Sequence, residues 1–256
     1  MKHKIIFFDV DGTLTSYLDG SITESTKMAI QQLIKKGYHV VAATGRPYAM
    51  CNDIAQLGID TFITANGAYV KHKNEVIHKI PFNYSIMKDV SNYASIQKNA
   101  LTFYSESLHI NEIRHPNILK ALSETLSLTD YPELRINDCE TYLLCLFANR
   151  TMVKKYEKQF PSLTFKRWHP FIVNVLEQDV SKSIAILKVL EYFQYTKEEA
   201  IAFGDGENDL DMLEVVDIGI AMGNANDKLK QCADFITKSS DEDGILYALQ
   251  HYGILK

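Results

Sequence analysis

Two aspartates two residues apart, Asp9 and Asp11, stand at the end of the apolar run Lys4-Ile5-Ile6-Phe7-Phe8 and are followed by Gly12, Thr13, Leu14 and Thr15. A buried strand that ends in carboxylates delivers charge to the edge of a sheet, and in an open α/β sheet ligands bind beyond the carboxyl ends of the parallel strands. Taken alone the pair also reads as an Asx turn with its caps. Three further segments carry residues of matching chemistry. Thr44-Gly45 follows His39-Val40-Val41-Ala42-Ala43, and Gly204-Asp205-Gly206-Glu207-Asn208-Asp209 follows Ala200-Ile201-Ala202-Phe203. Lys182 opens the helical pattern that precedes the latter strand. If the strands are parallel, these ends meet in one cleft.

The set suits phosphoryl transfer. Carboxylates alone repel a phosphate dianion, so Asp9, Asp205 and Asp209 require a cation, and an all-oxygen set fits Mg²⁺. Lys182 supplies a second positive charge, although by itself it reads as a solvated lysine at a helix start. A threonine hydroxyl and backbone amides at Thr44-Gly45 can bind phosphoryl oxygens, and a carboxylate is a nucleophile able to form an aspartyl phosphate. Asp211, Glu207 and Glu214 read as the exposed face of the following helix, and Asn224 as a loop residue.

These side chains need a frame. Ser21-Ile22-Thr23-Glu24 has the form of a capping box before a helix with Ile30, Leu33 and Ile34 on one face and Gly37 at its left-handed end. Thr61-Phe62-Ile63-Thr64 is a third strand, and Asn66-Gly67 predicts a two-residue hairpin turn. The β-α-β-α-β order predicts an α/β fold: a Rossmann-like doubly wound parallel sheet. From about Pro81 to Val180 the pattern changes. Strands are expected over 142–147, 163–166 and 171–176, and helices over 118–128 and 152–160, which together predict an inserted α+β cap. Trp168-His169-Pro170 reads as a structural turn or a substrate loop. The first pattern resumes at Ser181, so the expected division is a core of 1–81 and 181–256 around a cap of 82–180.

Composition narrows the function. The 256 residues are 46% hydrophobic and 23% charged, with a net charge of -5. That excludes a disordered chain and disfavours a nucleic-acid surface, which needs a clustered basic face. Cys51, Cys139, Cys145 and Cys232 form no C-x-x-C pair, so buried thiols are expected. The apolar run at the start is too short for a signal peptide and no later one is long enough to span a bilayer. A cytoplasmic location follows as the expectation, with no membrane partner.

The segments Asp9-Val10-Asp11-Gly12-Thr13, Ala43-Thr44-Gly45-Arg46, Asn66-Gly67, Lys182 and Gly204-Asp205-Gly206-Glu207-Asn208-Asp209 resemble, in order and spacing, the haloacid dehalogenase-like phosphatases in their Cof-like branch. The resemblance covers nearly the whole chain. It implies Asp9 as nucleophile and Mg²⁺ ligand, and Asp11 as general acid and base that also coordinates through its carbonyl. It implies Asp205 as the other protein ligand and Asp209 as support for the metal, directly or through water. Val10, Thr44, Gly45, Lys182 and Asn208 would hold the phosphoryl group. Ser183 departs from the glycine often found after the lysine. The implied function is hydrolysis of a small phosphorylated metabolite such as a sugar phosphate, with a phosphomutase or phosphotransferase, or a non-catalytic phospholigand sensor, as alternatives. Neither substrate nor oligomeric state is legible.

Overall fold

The structure is a computed structural model describing residues 2–135, 140–177 and 180–256, so Cys139 lies outside the described residues. The chain runs β1 (Ile5–Asp9), α1 (Glu24–Lys35), β2 (His39–Ala43), α2 (Asn52–Ala55), β3 (Thr61–Thr64), β4 (Tyr69–His72) and β5 (Glu75–Lys79). It continues with α3 (Tyr84–Ile96), β6 (Leu101–Tyr104), β7 (Leu108–Ile110), α4 (Pro116–Leu126), β8 (Glu133–Leu134), β9 (Leu143–Phe147), α5 (Arg150–Gln159), β10 (Thr164–His169) and β11 (Ile172–Leu176). Last come α6 (Lys182–Phe193), β12 (Ala200–Gly204), α7 (Leu210–Glu214), β13 (Ile218–Ala221), α8 (Asp227–Cys232), β14 (Phe235–Ile236) and α9 (Gly244–His251). Two compact units result, one of residues 1–45, 51–78 and 181–256, the other of 46–50 and 79–180.

The first unit holds an eight-stranded sheet in the order β14-β13-β12-β1-β2-β3-β4-β5. β14 through β3 are parallel and β4 runs antiparallel to β3. The chain moves outward from β1 through β2 and β3, then returns to lay β12 on the other side of β1. That reversal is a topological switch point, and in open α/β sheets ligands bind beyond the carboxyl ends of the strands that flank it, here β1 and β12. Central strands buried on both faces must be apolar throughout, and Ile5, Ile6, Phe7 and Phe8 are all fully buried. Ile5 and Phe7 join Val41, Ala43 and Ile63 against Ala185, Ile186, Val189 and Leu190 of α6 and Met212 and Leu213 of α7. Phe8 points the other way and stacks on Phe203 at 4.8 Å.

The second unit carries a six-stranded sheet, β10-β11-β9-β6-β7-β8, antiparallel except between β7 and β8. Leu101, Phe103, Leu144, Leu146, Val173 and Val175 pack on Met87, Val90 and Ala94 of α3 and Val153 and Tyr156 of α5. α3, β6 and β7 are elements that sequence patterning does not predict. Trp168 lies at a bulge in β10, with its Nε1 donating to Asn174 Oδ1 at 2.7 Å, and the turn after it falls at Pro170 and Phe171.

Three local expectations are corrected. The cap of α1 is Thr23, whose hydroxyl accepts from the Thr26 N–H, and Ile34 is part-exposed rather than on the buried face. The β3–β4 connection is longer than two residues, because the last cross-strand pair is Thr64 with Tyr69. Asn66-Gly67 serves a close approach instead: at Gly67, with φ of +106°, a Cβ would lie 2.1 Å from the Ser181 carbonyl oxygen. The loop is thereby pressed against the start of α6, where Lys182 sits. Cys51 and Cys145 are buried thiols, Cys232 is partly exposed, and among the described residues no helix is long and apolar enough to cross a membrane.

Candidate active site

β1 ends at Asp9, and the chain leaves it through a wide turn over Val10–Leu14 that is not helical at Asp11 (ψ 110°) or Gly12 (φ +85°). Thr15 closes the turn, its N–H and hydroxyl both donating to the Val10 carbonyl at 2.9 and 3.1 Å. Gly12 is required twice. Its left-handed φ disfavours a side chain, and a Cβ there would lie 2.3 Å from Asp205 Oδ2. Asp205, just beyond β12, therefore lies directly over the turn that carries Asp11.

Lys182 is the first residue of α6, whose N-cap Ser181 accepts from the Ile184 N–H. Its ammonium is 1% exposed and donates to Asp9 Oδ1 at 2.5 Å and Asp209 Oδ1 at 2.6 Å. Burial opposes that charge, yet Asp209 and Asp9 outweigh burial and hold the ammonium above the usual lysine range. Asp209 is fully buried, and its Oδ2 accepts from the Asp205 and Gly206 N–H groups at 3.1 and 2.9 Å. With both oxygens engaged, Asp209 holds the Asp205 loop and the lysine in place together. Asp211 is not merely solvent-facing, since its Oδ2 accepts from the Ser183 N–H at 3.0 Å and ties α7 to the start of α6.

Burial first, then the charge of Asp209, pushes the Asp9 carboxyl well above its usual range despite Lys182. The same two causes push the Asp205 carboxyl up to about 7. Asp9, Asp205 and Asp209 each offer an oxygen within 4.8 Å of the others. With all three carboxylates ionised, the one ammonium leaves two negative charges uncompensated, and the donors are all hard oxygens. That set fits Mg²⁺.

The raised Asp205 value has a testable sign. Its folded pKa exceeds its unfolded one, so the folded state keeps a proton that the unfolded state loses, and this contribution to stability is lost as pH rises toward about 7. In chelator, Asp205→Asn is expected to be more stable than wild type at about pH 8, with the gap narrowing as pH falls below about 7 and closing only near the unfolded carboxylate value, about pH 4. Thermal melts of both proteins check this, and a gap independent of pH would contradict it.

Of the other expected residues, Thr44 and Gly45 follow β2 directly, level with Asp9, because Ala43 pairs with Asp9 across the sheet. Thr44 is fully buried, its N–H donating to Ile63 and its carbonyl accepting from Asn66. Val10 is buried beside Asp9, Asp11 is exposed, and Asn208 is exposed on the short turn Glu207–Asp209. Asp11 adds to the electrostatic field on both Asp9 and Asp205 but its carboxylate is not in the cluster of three. One site residue escaped sequence reasoning. Asn224, just beyond β13, donates from Nδ2 to the Gly12 carbonyl at 2.9 Å and to Asp205 Oδ2 at 3.1 Å. Its place after a parallel strand, the same address as Asp9 and Asp205, was the available signal.

The family model for haloacid dehalogenase-like hydrolase matches residues 6–249. The Bacillus subtilis (strain 168) protein named "Putative phosphatase YkrA" is 39% identical over 261 residues, covering 100% of both chains. A solved structure of a protein from Geobacillus kaustophilus HTA426 superposes with a TM-score of 0.91 at 32% identity, covering 99% of this chain and 100% of that one. The sugar phosphatase BT4131, of HAD subclass IIB, superposes with a TM-score of 0.87 at 31% identity, covering 98% and 100%.

Proposed function

This chain belongs to the haloacid dehalogenase-like hydrolases, and from that premise we propose that it is a Mg²⁺-dependent phosphatase acting on a small phosphorylated metabolite, a sugar phosphate or similar monoester, through an aspartyl phosphate on Asp9. The observation that carries the reading is the buried ammonium of Lys182 between Asp9 and Asp209, within a cluster of three carboxylates whose residual charge suits one divalent cation.

Asp9 and Asp205 would hold Mg²⁺, joined by the Asp11 carbonyl, while Asp209 supports the site by fixing Lys182 and the Asp205 loop. When bound, the cation offsets the repulsion between carboxylates and phosphate. The Asp9 carboxylate attacks phosphorus, forming an O–P bond as the ester P–O bond breaks, and Asp11 gives its proton to the departing alkoxide. Asp11 then takes a proton from water as that oxygen attacks phosphorus. The Asp9–phosphoryl bond breaks, phosphate leaves and the carboxylate is restored. Lys182, the Thr44 hydroxyl, the Gly45 and Val10 amides and Asn208 hold the phosphoryl oxygens, so that catalysis is mostly positioning and charge stabilisation. Residues 1–81 and 181–256 carry this chemistry and the cap of 82–180 selects the substrate. Likeness to a sugar phosphatase supports the substrate class.

Turnover of a panel of phosphorylated sugars with Mg²⁺ tests the reading. Excess chelator is expected to abolish phosphate release, and Asp205→Ala to lower it by about 10²-fold or more at saturating metal. Full turnover in chelator, or transfer to a sugar hydroxyl without free phosphate, would contradict it.

A further inference from the structure

We propose that Asn224 is a positioning residue for the metal site, holding the Asp205 carboxylate in its ligating orientation; the inference rests on the reading that Asp9 and Asp205 bind Mg²⁺. The amide is fully used. Nδ2 donates to Gly12 O at 2.9 Å and Asp205 Oδ2 at 3.1 Å, while Oδ1 accepts from the Ser240 N–H at 3.0 Å. The Ser240 donor fixes which way the amide faces, because a flip would set its oxygen against a carbonyl and a carboxylate.

The surroundings make this bond matter. Asp205 lies over Gly12, where there is no Cβ to limit its rotation, and the Thr13 hydroxyl reaches Asp205 Oδ1 only at 3.5 Å. Asn224 is thus the well-placed side-chain donor to that carboxylate. The chain around it is held too: before it, Met222 N–H donates to Gly204 O and Gly223 N–H to Lys238 O, each at 2.9 Å, and after it Ala225 N–H donates to Met222 O at 3.0 Å. The side chain consequently joins three segments distant in the chain: the turn after β1, the loop after β12 and the turn at Ser240. Partners that orient metal ligands in this way typically change affinity 10- to 100-fold.

The test is calorimetric titration of metal-free protein with Mg²⁺, well below the unfolding midpoint. Asn224→Ala is expected to raise the Kd roughly 10- to 100-fold, and Asn224→Ser, which retains one short polar atom, to raise it less. Turnover should recover substantially at saturating Mg²⁺, shifting the metal requirement more than kcat. Asn226, whose Oδ1 caps α8 through the Leu229 N–H, is the control on the same loop. Asn226→Ala is expected to leave the Kd unchanged. A Kd within about twofold of wild type in a folded Asn224 variant, or an equal weakening by Asn226→Ala, would overturn the inference while leaving the metal reading intact. Failure of wild type to bind Mg²⁺ would overturn both.

Discussion

Asp11→Asn, given p-nitrophenyl phosphate and Mg²⁺, is expected to release about one nitrophenol per active site in a burst and then stall with a phosphoryl group on Asp9. Nitrophenolate leaves without help, whereas an alkoxide needs a proton and the subsequent water needs a base. The substitution therefore spares the first step for the aryl ester and cripples it for alkyl phosphates. Asp9→Asn removes the nucleophile and is expected to lower turnover of both by on the order of 10⁴-fold or more, with no burst. Stopped-flow absorbance and intact mass check the pair. Steady alkyl phosphate turnover by Asp11→Asn at the wild-type rate would contradict its acid and base roles without touching Asp9.

Lys182→Met carries the second large effect, on stability as well as rate. The ammonium is as buried as the core leucines, and it is shared between Asp9 and Asp209. Removing one partner from a buried ion pair typically costs about 3–5 kcal/mol, because the remaining charge is left uncompensated or must take up a proton. Urea unfolding in chelator should show a loss of that order. Mg²⁺ should restore part of the stability, while kcat stays down by about 10²- to 10³-fold for want of a donor to the phosphoryl oxygens. A loss under about 1 kcal/mol would mean that the pair does not carry the site's charge balance.

The parts of the fold legible in the sequence are those whose signals are local. β1, β2 and β12 read as unbroken apolar runs because parallel central strands are buried on both faces, and their last residues announced the carboxylates and Thr44. α3 was not legible. Its buried positions Met87, Val90 and Ala94 keep helical spacing, but exposed Ile96 puts an apolar residue on the opposite face and blurs the period.

The site divides in the same way. Residues at strand ends were found from their own neighbours, but Asn224 takes its role from Gly12, Asp205 and Ser240, and only the folded chain brings these together. Asn66-Gly67 shows the converse. A dipeptide with a strong hairpin preference is used here for the close approach of Gly67 to Ser181, a constraint set by α6 more than a hundred residues later. Asp209 reads in the sequence as metal support, and the folded chain adds what the sequence does not carry: its two oxygens also hold Lys182 and two backbone amides.

The covalent intermediate is the central claim, and acid quench of the working enzyme followed by borohydride reduction tests it most directly, since reduction converts an aspartyl phosphate to homoserine. Peptide mass spectrometry of wild type and Asp11→Asn, quenched with substrate and Mg²⁺ present, should find homoserine at position 9, more of it in the variant, and none when metal or substrate is omitted. Aspartate unchanged at position 9 in the stalled variant, or homoserine at another carboxylate, would contradict the account.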